Sequence, residues 1–212
     1  HIGACAILSD MMLNEIIPEP LKEMIGRMAS PPTRNMATIG GNLCNASPAA
    51  DTLPYLYAVN AKVILQNFNN TRTVTIQKFI TGPKTTLLQK NEILTEIIIP
   101  DKKFDINIYR RLGQRKGMSL TKISFLGLAD ISENRIHDIR IALGSVAPTI
   151  VRSFEIERKM INKNLDEIKQ ISYEISDQYD KLIKPIDDAR STAKYRKEVS
   201  LNLIKHFLEN LA

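Results

Sequence analysis

The sequence is poor in cysteine and lacks tryptophan, and these deficits exclude several classes of protein. Its 212 residues include two cysteines, six phenylalanines, six tyrosines and no tryptophan. Cys5 and Cys44 are too few for a disulfide scaffold, and they cannot supply the four thiolates of a zinc or iron–sulfur centre. We therefore expect two reduced thiols in a cytoplasmic protein that holds no metal centre of its own.

Long apolar runs are also missing. No run approaches the ~18 residues that cross a membrane, so no membrane span is predicted. The sequence opens at His1, directly on an apolar segment, without the charged-then-apolar pattern of a signal peptide. Because it does not begin with Met, we expect a truncated or processed polypeptide. The composition, 43% hydrophobic and 25% charged, is that of a globular protein.

The net charge of +6 is unevenly distributed along the chain. Residues 1–100 contain 8 Lys+Arg against 7 Asp+Glu, whereas residues 101–212 contain 21 against 16. A basic half is compatible with nucleic-acid binding. The low aromatic content of 6% offers few platforms for base stacking, and no nucleic-acid motif is present. We therefore predict no nucleic-acid partner.

The first hundred residues are predicted to form short, alternating elements. Hydrophobic periodicity and turn residues predict strands at 2–8, 61–65, 69–76 and 92–99, and helices at 10–16, 19–29, 52–58 and 77–80. Pro31 and Pro32 are expected to end the second helix. The segment 33–51 is rich in Gly, Asn, Ser and Ala, and we expect it to be a packed functional loop.

The second half of the chain has a different pattern. Strands are predicted at 104–112, 121–131 and 135–143, followed by helices at 149–161, 165–178 and 190–210, the last capped by Ser191 or Thr192. Pro100 follows a predicted strand and precedes a charged segment, which favours a domain boundary there. The fold class predicted for the whole chain is α+β.

Known catalytic spacings are missing from the sequence. The histidines His1, His137 and His206 are scattered, and no zinc-protease, nucleophile-elbow or phosphate-loop motif occurs. We therefore predict no catalytic residue.

The glycine pair at 40–41 is the chemically informative feature, and it admits two interpretations. Adjacent glycines let a backbone approach a ligand closely, and successive amides of such a loop can hold an anion. Thr38 and Asn42 add side-chain donors beside those amides. The alternative is a tight turn. Asp51 is similarly ambiguous, because it can cap a helix or accept a hydrogen bond from a ligand.

Longer strings carry a family resemblance over essentially the whole chain. ATIGGNLCNASPAADTLPYLYAVNAKV (37–63) strongly resembles the FAD-binding medium subunit of molybdenum hydroxylases, the family of carbon monoxide dehydrogenase medium subunits and xanthine dehydrogenase FAD domains. FITGPKTTLLQKNEILTEIIIP (79–100) resembles the end of the second FAD subdomain. YRRLGQRKGMSLTKISFLGLADI (109–131), IRIALGSVAPTIVRSFEIE (139–157) and STAKYRKEVSLNLIKHFLE (191–209) resemble the C-terminal domain.

The resemblance implies a definite architecture. Residues 1–100 would be the second half of a split FAD-binding domain, a mixed sheet with flanking helices. Residues 101–212 would be a C-terminal domain of a three-stranded antiparallel sheet and a three-helix bundle. The family's N-terminal FAD subdomain, with its own glycine-rich loop, is expected to be absent. FAD would then be weakly held or missing in the isolated chain, and a separate polypeptide would supply that subdomain if the gene is split.

The resemblance also implies a role. FAD would pass electrons from 2Fe–2S clusters of a small subunit to an acceptor, after oxidation of substrate at a molybdopterin centre in a large subunit. Arg111 stands where several relatives carry a lysine near the flavin. The alternative is a cofactor-free module that docks partner subunits. The cofactor-binding residues implied are Thr38, Ile39, Gly40, Gly41, Asn42, Asp51, Ile93, Leu94 and Arg111.

Overall fold

The N-terminal part of the molecule is mainly helical. The computed structural model describes residues 1–115 and 118–211, so Lys116 and Gly117, within the 109–131 motif, lie outside the described residues. The first elements are β1 (Ile2–Gly3), α1 (Leu8–Leu13), α2 (Glu19–Arg27), α3 (Pro31–Met36), α4 (Ile39–Cys44) and α5 (Leu53–Ala58). Helix α5 is buried along its whole length, which fits its apolar sequence Leu-Pro-Tyr-Leu-Tyr-Ala.

A four-stranded sheet follows α5. The elements after α5 in chain order are β2 (Lys62–Gln66), β3 (Thr71–Thr75), α6 (Ile76–Phe79), β4 (Ile80–Gly82), β5 (Thr85–Thr86) and β6 (Ile93–Ile98). Strands β4 and β5 form a hairpin of their own, and the four-stranded sheet consists of β1, β2, β3 and β6. The strand order is β1-β6-β2-β3. Val63 of β2 lies opposite Val74 on one side and Ile97 on the other. Every described pairing is antiparallel, which corrects the expected mixed sheet: β6 runs opposite to both of its neighbours.

The C-terminal part contains a three-stranded antiparallel sheet, as predicted. It consists of β7 (Ile106–Leu112), β8 (Ile123–Ser132) and β9 (Arg135–Gly144), followed by α7 (Phe154–Arg158), α8 (Leu165–Asp180) and α9 (Ala193–Glu209). The central strand β8 is buried on both faces. Asn164 and Glu167 form a capping box at the start of α8, and Thr192 caps α9.

Helix α5 of the N-terminal part lies against the C-terminal sheet. It packs on β8 and β9, while α9 packs on β8 as well. Alternate residues of β8 therefore enter two cores: Leu126 and Leu128 pack with the N-terminal part, and Phe125 packs with the C-terminal helices. The three-stranded sheet is thus the middle layer between α5 and the α8–α9 pair.

Three predicted elements differ from the structure. The predicted strand 2–8 is extended only at Ile2–Gly3 and at a bridge from Ile7, because Leu8 already begins a helix. Helix α2 ends before Pro31, as predicted, but the expected loop 33–51 contains most of α3, which Pro31 starts because proline suits the first turn of a helix, and all of α4. The predicted helix 149–161 shortens to Phe154–Arg158, because Val151 pairs with Leu143 of β9.

Candidate functional site

A cleft of about 420 Å³ opens between the two parts of the chain. Its lining comes from the α2–α3 connection, from α4 and the loop that follows it, and from the segment that leads into β8. The volume lies within the 300–1,000 Å³ range of typical ligand pockets. The lining residues are Met28, Ala29, Ser30, Thr33, Asn42, Asn45, Ser47, Ala49, Ala50, Asp51, Arg111, Met118, Ser119, Leu120 and Thr121.

The floor of the cleft is a buried ion pair. Nε of Arg111 donates to Oδ2 of Asp51 at 3.0 Å, and the side chains of both residues are 6% exposed. The hydroxyl of Thr121 donates to Oδ1 of the same carboxylate at 2.6 Å. Burial raises the pKa of Asp51, and the Thr121 hydroxyl and the Arg111 guanidinium oppose that rise. Both carboxylate oxygens therefore already have partners within the chain.

One wall of the cleft is the segment 118–121. Met118 and Leu120 are exposed apolar side chains on this wall, at 63% and 69%. Arginines hold its backbone: Arg111 Nη2 donates to the carbonyl of Ser119, and Arg115 Nη2 donates to the carbonyl of Met118 at 2.7 Å. The wall thus presents apolar side chains above a charged, polar floor.

The Thr38–Asn42 stretch forms the first turn of α4 rather than an open loop. Thr38 is the N-cap, and its hydroxyl accepts from the amide of Gly41 at 3.1 Å. The amides of Ile39 and Gly40 donate to carbonyls of residues 6 and 4, and the amide of Asn42 donates to the Thr38 carbonyl. These four amides are satisfied within the chain, so they form no open anion cradle.

Packing explains the glycine at position 40. A Cβ there would lie 2.7 Å from both the Cβ and the carbonyl oxygen of Ala4. Such a distance is far inside van der Waals contact, so only glycine lets α4 lie against the segment after β1. Because the amide of Ala4 bonds to the Thr95 carbonyl at 2.8 Å, this contact also ties α4 to β6.

The structure brings three of the predicted site residues into one cleft. Asn42, Asp51 and Arg111 line it together, although Asp51 and Arg111 are 60 positions apart in sequence. Thr38, Ile39, Gly40 and Gly41 lie at the start of α4, outside the lining. On β6, Ile93 is 66% exposed and Leu94 is buried, and neither lines the cleft.

Thr121 and Ser119 belong to the site, but no sequence pattern predicts them there. Thr121 precedes β8 and was assigned only to a strand, and no local motif marks it. Its role depends on a partner 70 positions away. Within the described ranges 1–115 and 118–211, no group of three His, Cys, Asp or Glu side chains could hold a metal ion. In those same ranges, no helix has the length and apolar character needed to cross a membrane.

Two family descriptions match the chain. Residues 1–102 match the family described as "FAD binding domain in molybdopterin dehydrogenase". Residues 109–211 match "CO dehydrogenase flavoprotein C-terminal domain". Together these two matches account for nearly all of the sequence.

Individual relatives agree with the family matches. The chain is 33% identical over 207 residues to a glyceraldehyde dehydrogenase medium chain of Sulfolobus acidocaldarius, covering 93% of this chain and 70% of that one. It is 29% identical to the carbon monoxide dehydrogenase medium chain of Hydrogenophaga pseudoflava, covering 98% and 72%. A solved carbon monoxide dehydrogenase from H. pseudoflava superimposes with a TM-score of 0.87 at 28% identity, over 96% of this chain and 71% of that one.

Proposed function

The chain belongs to the family of FAD-binding medium subunits of molybdenum-containing dehydrogenases, and we propose that its cleft binds the flavin ring of FAD. Its relatives are oxidoreductase subunits. The observation that carries the proposal is the cleft, in which Asn42, Asp51 and Arg111 meet on one lining.

The mixture of apolar and polar side chains that lines the cleft suits a flavin ring. Apolar side chains of Met28, Met118 and Leu120 offer surface to a flat aromatic system, while Asn42, Asn45 and other polar side chains offer donors and acceptors to its edge. The internally bonded amides of α4 are less suited to a pyrophosphate. We therefore assign the ring, and not the phosphates, to this cleft.

Within this assignment, Asp51 acts on FAD through its neighbours. Its two oxygens are occupied by Arg111 and Thr121, so it orients these two groups at the floor. Arg111, in turn, places a fixed positive charge beside the ring and supports the wall at Ser119. Direct contacts of Thr38, Ile39, Gly40, Gly41, Ile93 and Leu94 with FAD stay predictions.

We further propose that the chain serves electron transfer in a larger assembly. Bound FAD supplies one- and two-electron chemistry, and the protein contributes its position and electrostatic surroundings. Large and small subunits would hold the molybdopterin and 2Fe–2S groups. We place the division between the FAD-binding part and the C-terminal part at residues 100–101. The gap between the end of β6 at Ile98 and the start of β7 at Ile106 supports this boundary.

A titration with FAD tests the assignment. Flavin fluorescence is followed as protein is added, at concentrations that detect dissociation constants up to about 1 mM. Ala49→Phe fills the cleft and should abolish binding, whereas Phe68→Ala alters a fully exposed side chain on the β2–β3 turn and should not. Circular dichroism verifies that both variants fold. Equal FAD affinity of wild type and Ala49→Phe would refute the assignment.

A further inference from the structure

A cluster of one carboxylate and two guanidinium groups lies behind the cleft, at the start of the last helix. Asp188 accepts hydrogen bonds from Nη2 of Arg190 and from Nη2 of Arg196, both at 2.5 Å. The Arg196 side chain is 2% exposed, whereas that of Arg190 is 28% exposed. An arginine keeps its charge in proteins, so a buried one requires a partner such as Asp188. We call these three residues the Asp188 cluster.

The Asp188 cluster reaches the cleft at Thr121. The Thr121 carbonyl accepts long hydrogen bonds from Nη1 of Arg190 at 3.5 Å and from the hydroxyl of Ser145 at 3.4 Å. Arg196 Nη1 contacts the carbonyl of Ser145 at 3.4 Å. The hydroxyl of Thr121 donates to Asp51. The backbone of this one residue is thus held by the C-terminal segment, while its side chain holds the floor of the cleft.

We propose that Asp188 and Arg190 are positioning residues of the cleft, which hold the backbone of Thr121 so that its hydroxyl stays in contact with Asp51. Neither side chain lines the cleft, so neither needs to touch a ligand. The proposal rests on the proposed function for the identity of the ligand. The support of Thr121 by Arg190 and Asp188 does not depend on the ligand, because it follows from the hydrogen bonds within the chain.

A matched set of variants tests the proposal. Arg190→Gln removes the donor to Thr121 at a partly exposed position, and Asp188→Asn weakens the anchor of Arg190. Glu157→Gln is the control, because Glu157 is another buried carboxylate paired with an arginine and does not line the cleft. We expect the dissociation constant for FAD to rise roughly tenfold in Arg190→Gln and Asp188→Asn, and less than about twofold in the control.

Two comparisons separate positioning from general destabilisation. Thr121→Val removes the hydroxyl that contacts Asp51, so adding Arg190→Gln in that background should change the FAD affinity less than about twofold. Equal effects of Arg190→Gln with and without Thr121→Val would overturn the proposal. Arg190→Lys keeps a cation near Asp188 but not the guanidinium geometry, and we expect its FAD affinity to lie between those of wild type and Arg190→Gln. An Arg190→Lys variant as weak as Arg190→Gln would also overturn it.

Hydrogen exchange gives a readout that needs no FAD. The amide of Lys122 donates to the Leu112 carbonyl at 2.8 Å and therefore reports on the segment beside Thr121. We expect a peptide covering 118–123 to exchange about fivefold faster in Arg190→Gln than in wild type, and unchanged in Glu157→Gln. If wild type shows no FAD binding in a titration that detects dissociation constants up to about 1 mM, the assignment of the cleft to the flavin ring fails. Unchanged exchange in Arg190→Gln overturns the positioning role whether or not FAD binds.

Discussion

Replacing Arg152 with methionine should destabilise the fold strongly, because this arginine holds the end of α5. Its Nη1 donates to the carbonyl of Tyr57, to that of Ala58 at 2.7 Å and to Oδ1 of Asn60 at 2.8 Å. Its Nε and Nη2 donate hydrogen bonds to the carboxylate of Glu157 at 2.9 to 3.2 Å. A guanidinium at a helix C-terminus satisfies free carbonyls and complements the helix dipole.

The expected cost follows from burial. The side chains of Arg152 and Glu157 are 4% and 6% exposed, so methionine leaves a carboxylate buried without its counterion. Breaking a buried pair in this way costs about 3–5 kcal/mol. For a chain of this length, each kcal/mol lowers the melting temperature by roughly 2–4 °C, so we expect a loss of about 6–20 °C.

Lowering the pH should reduce the loss of stability that Arg152→Met causes. Burial raises the pKa of Glu157, and loss of the Arg152 guanidinium, which opposes that rise, raises it further. The folded variant then binds a proton more tightly than the unfolded chain. The penalty is therefore largest above the folded pKa and shrinks as the pH falls toward the ordinary value of 4.5.

Urea unfolding at pH 7 and pH 5 measures both effects. Lys181→Met is the control, since Lys181 and Asp177 form a pair at 3.7 Å with side chains 73% and 64% exposed. Exposed pairs contribute about 0–1 kcal/mol, so this variant should remain near wild type at both pH values. If Arg152→Met also lies within about 1 kcal/mol of wild type, Arg152 does not anchor α5 as we have argued.

Two further predictions concern the N-terminal part. Gly40→Ala should lower the free energy of unfolding by about 1–3 kcal/mol, because its methyl group would overlap Ala4; a urea midpoint equal to wild type would contradict this. Hydrogen bonds from Arg72 and from a backbone amide lower the pKa of Glu92 to about 2, so the stability they confer is present above pH 4.5 and is lost as the pH falls toward 2. Glu92→Gln should remove that part of the acid dependence of the urea midpoint, and an unchanged profile would argue against it.

Local signals in the sequence predicted most of the secondary structure. Hydrophobic periodicity predicted the meander β7–β9 and the last helix, α9. Errors arose where tertiary contacts override local preference. Residues 149–153 carry a helical pattern, but Val151 instead pairs with β9. No local rule anticipates such a pairing.

The candidate site was predictable only in part. The glycine pair marked a position of close backbone approach, but the neighbour turned out to be Ala4 rather than a ligand. Thr121 could not be found, because its contact with Asp51 depends on how the two halves of the chain meet. The family resemblance supplied Asp51 and Arg111 individually, and the structure adds that they form one buried pair.

The contacts of the arginines also change how the basic charge of residues 101–212 is interpreted. The excess of Lys and Arg in residues 101–212 is, from the sequence alone, compatible with binding to an anionic partner. Several of these arginines instead donate to buried or partly buried carboxylates and to backbone carbonyls at the junction with α5 or beside the cleft, and their side chains are 2% to 28% exposed. They are Arg111, Arg140, Arg152, Arg190 and Arg196. Arginines held in this way donate their hydrogen bonds inside the molecule and offer few donors to an external anion. Two of them, Arg140 and Arg152, bind carbonyls at the end of α5 and so fix that helix against the C-terminal sheet, whereas Arg111 and Arg190 bind carbonyls of the segment beside the cleft.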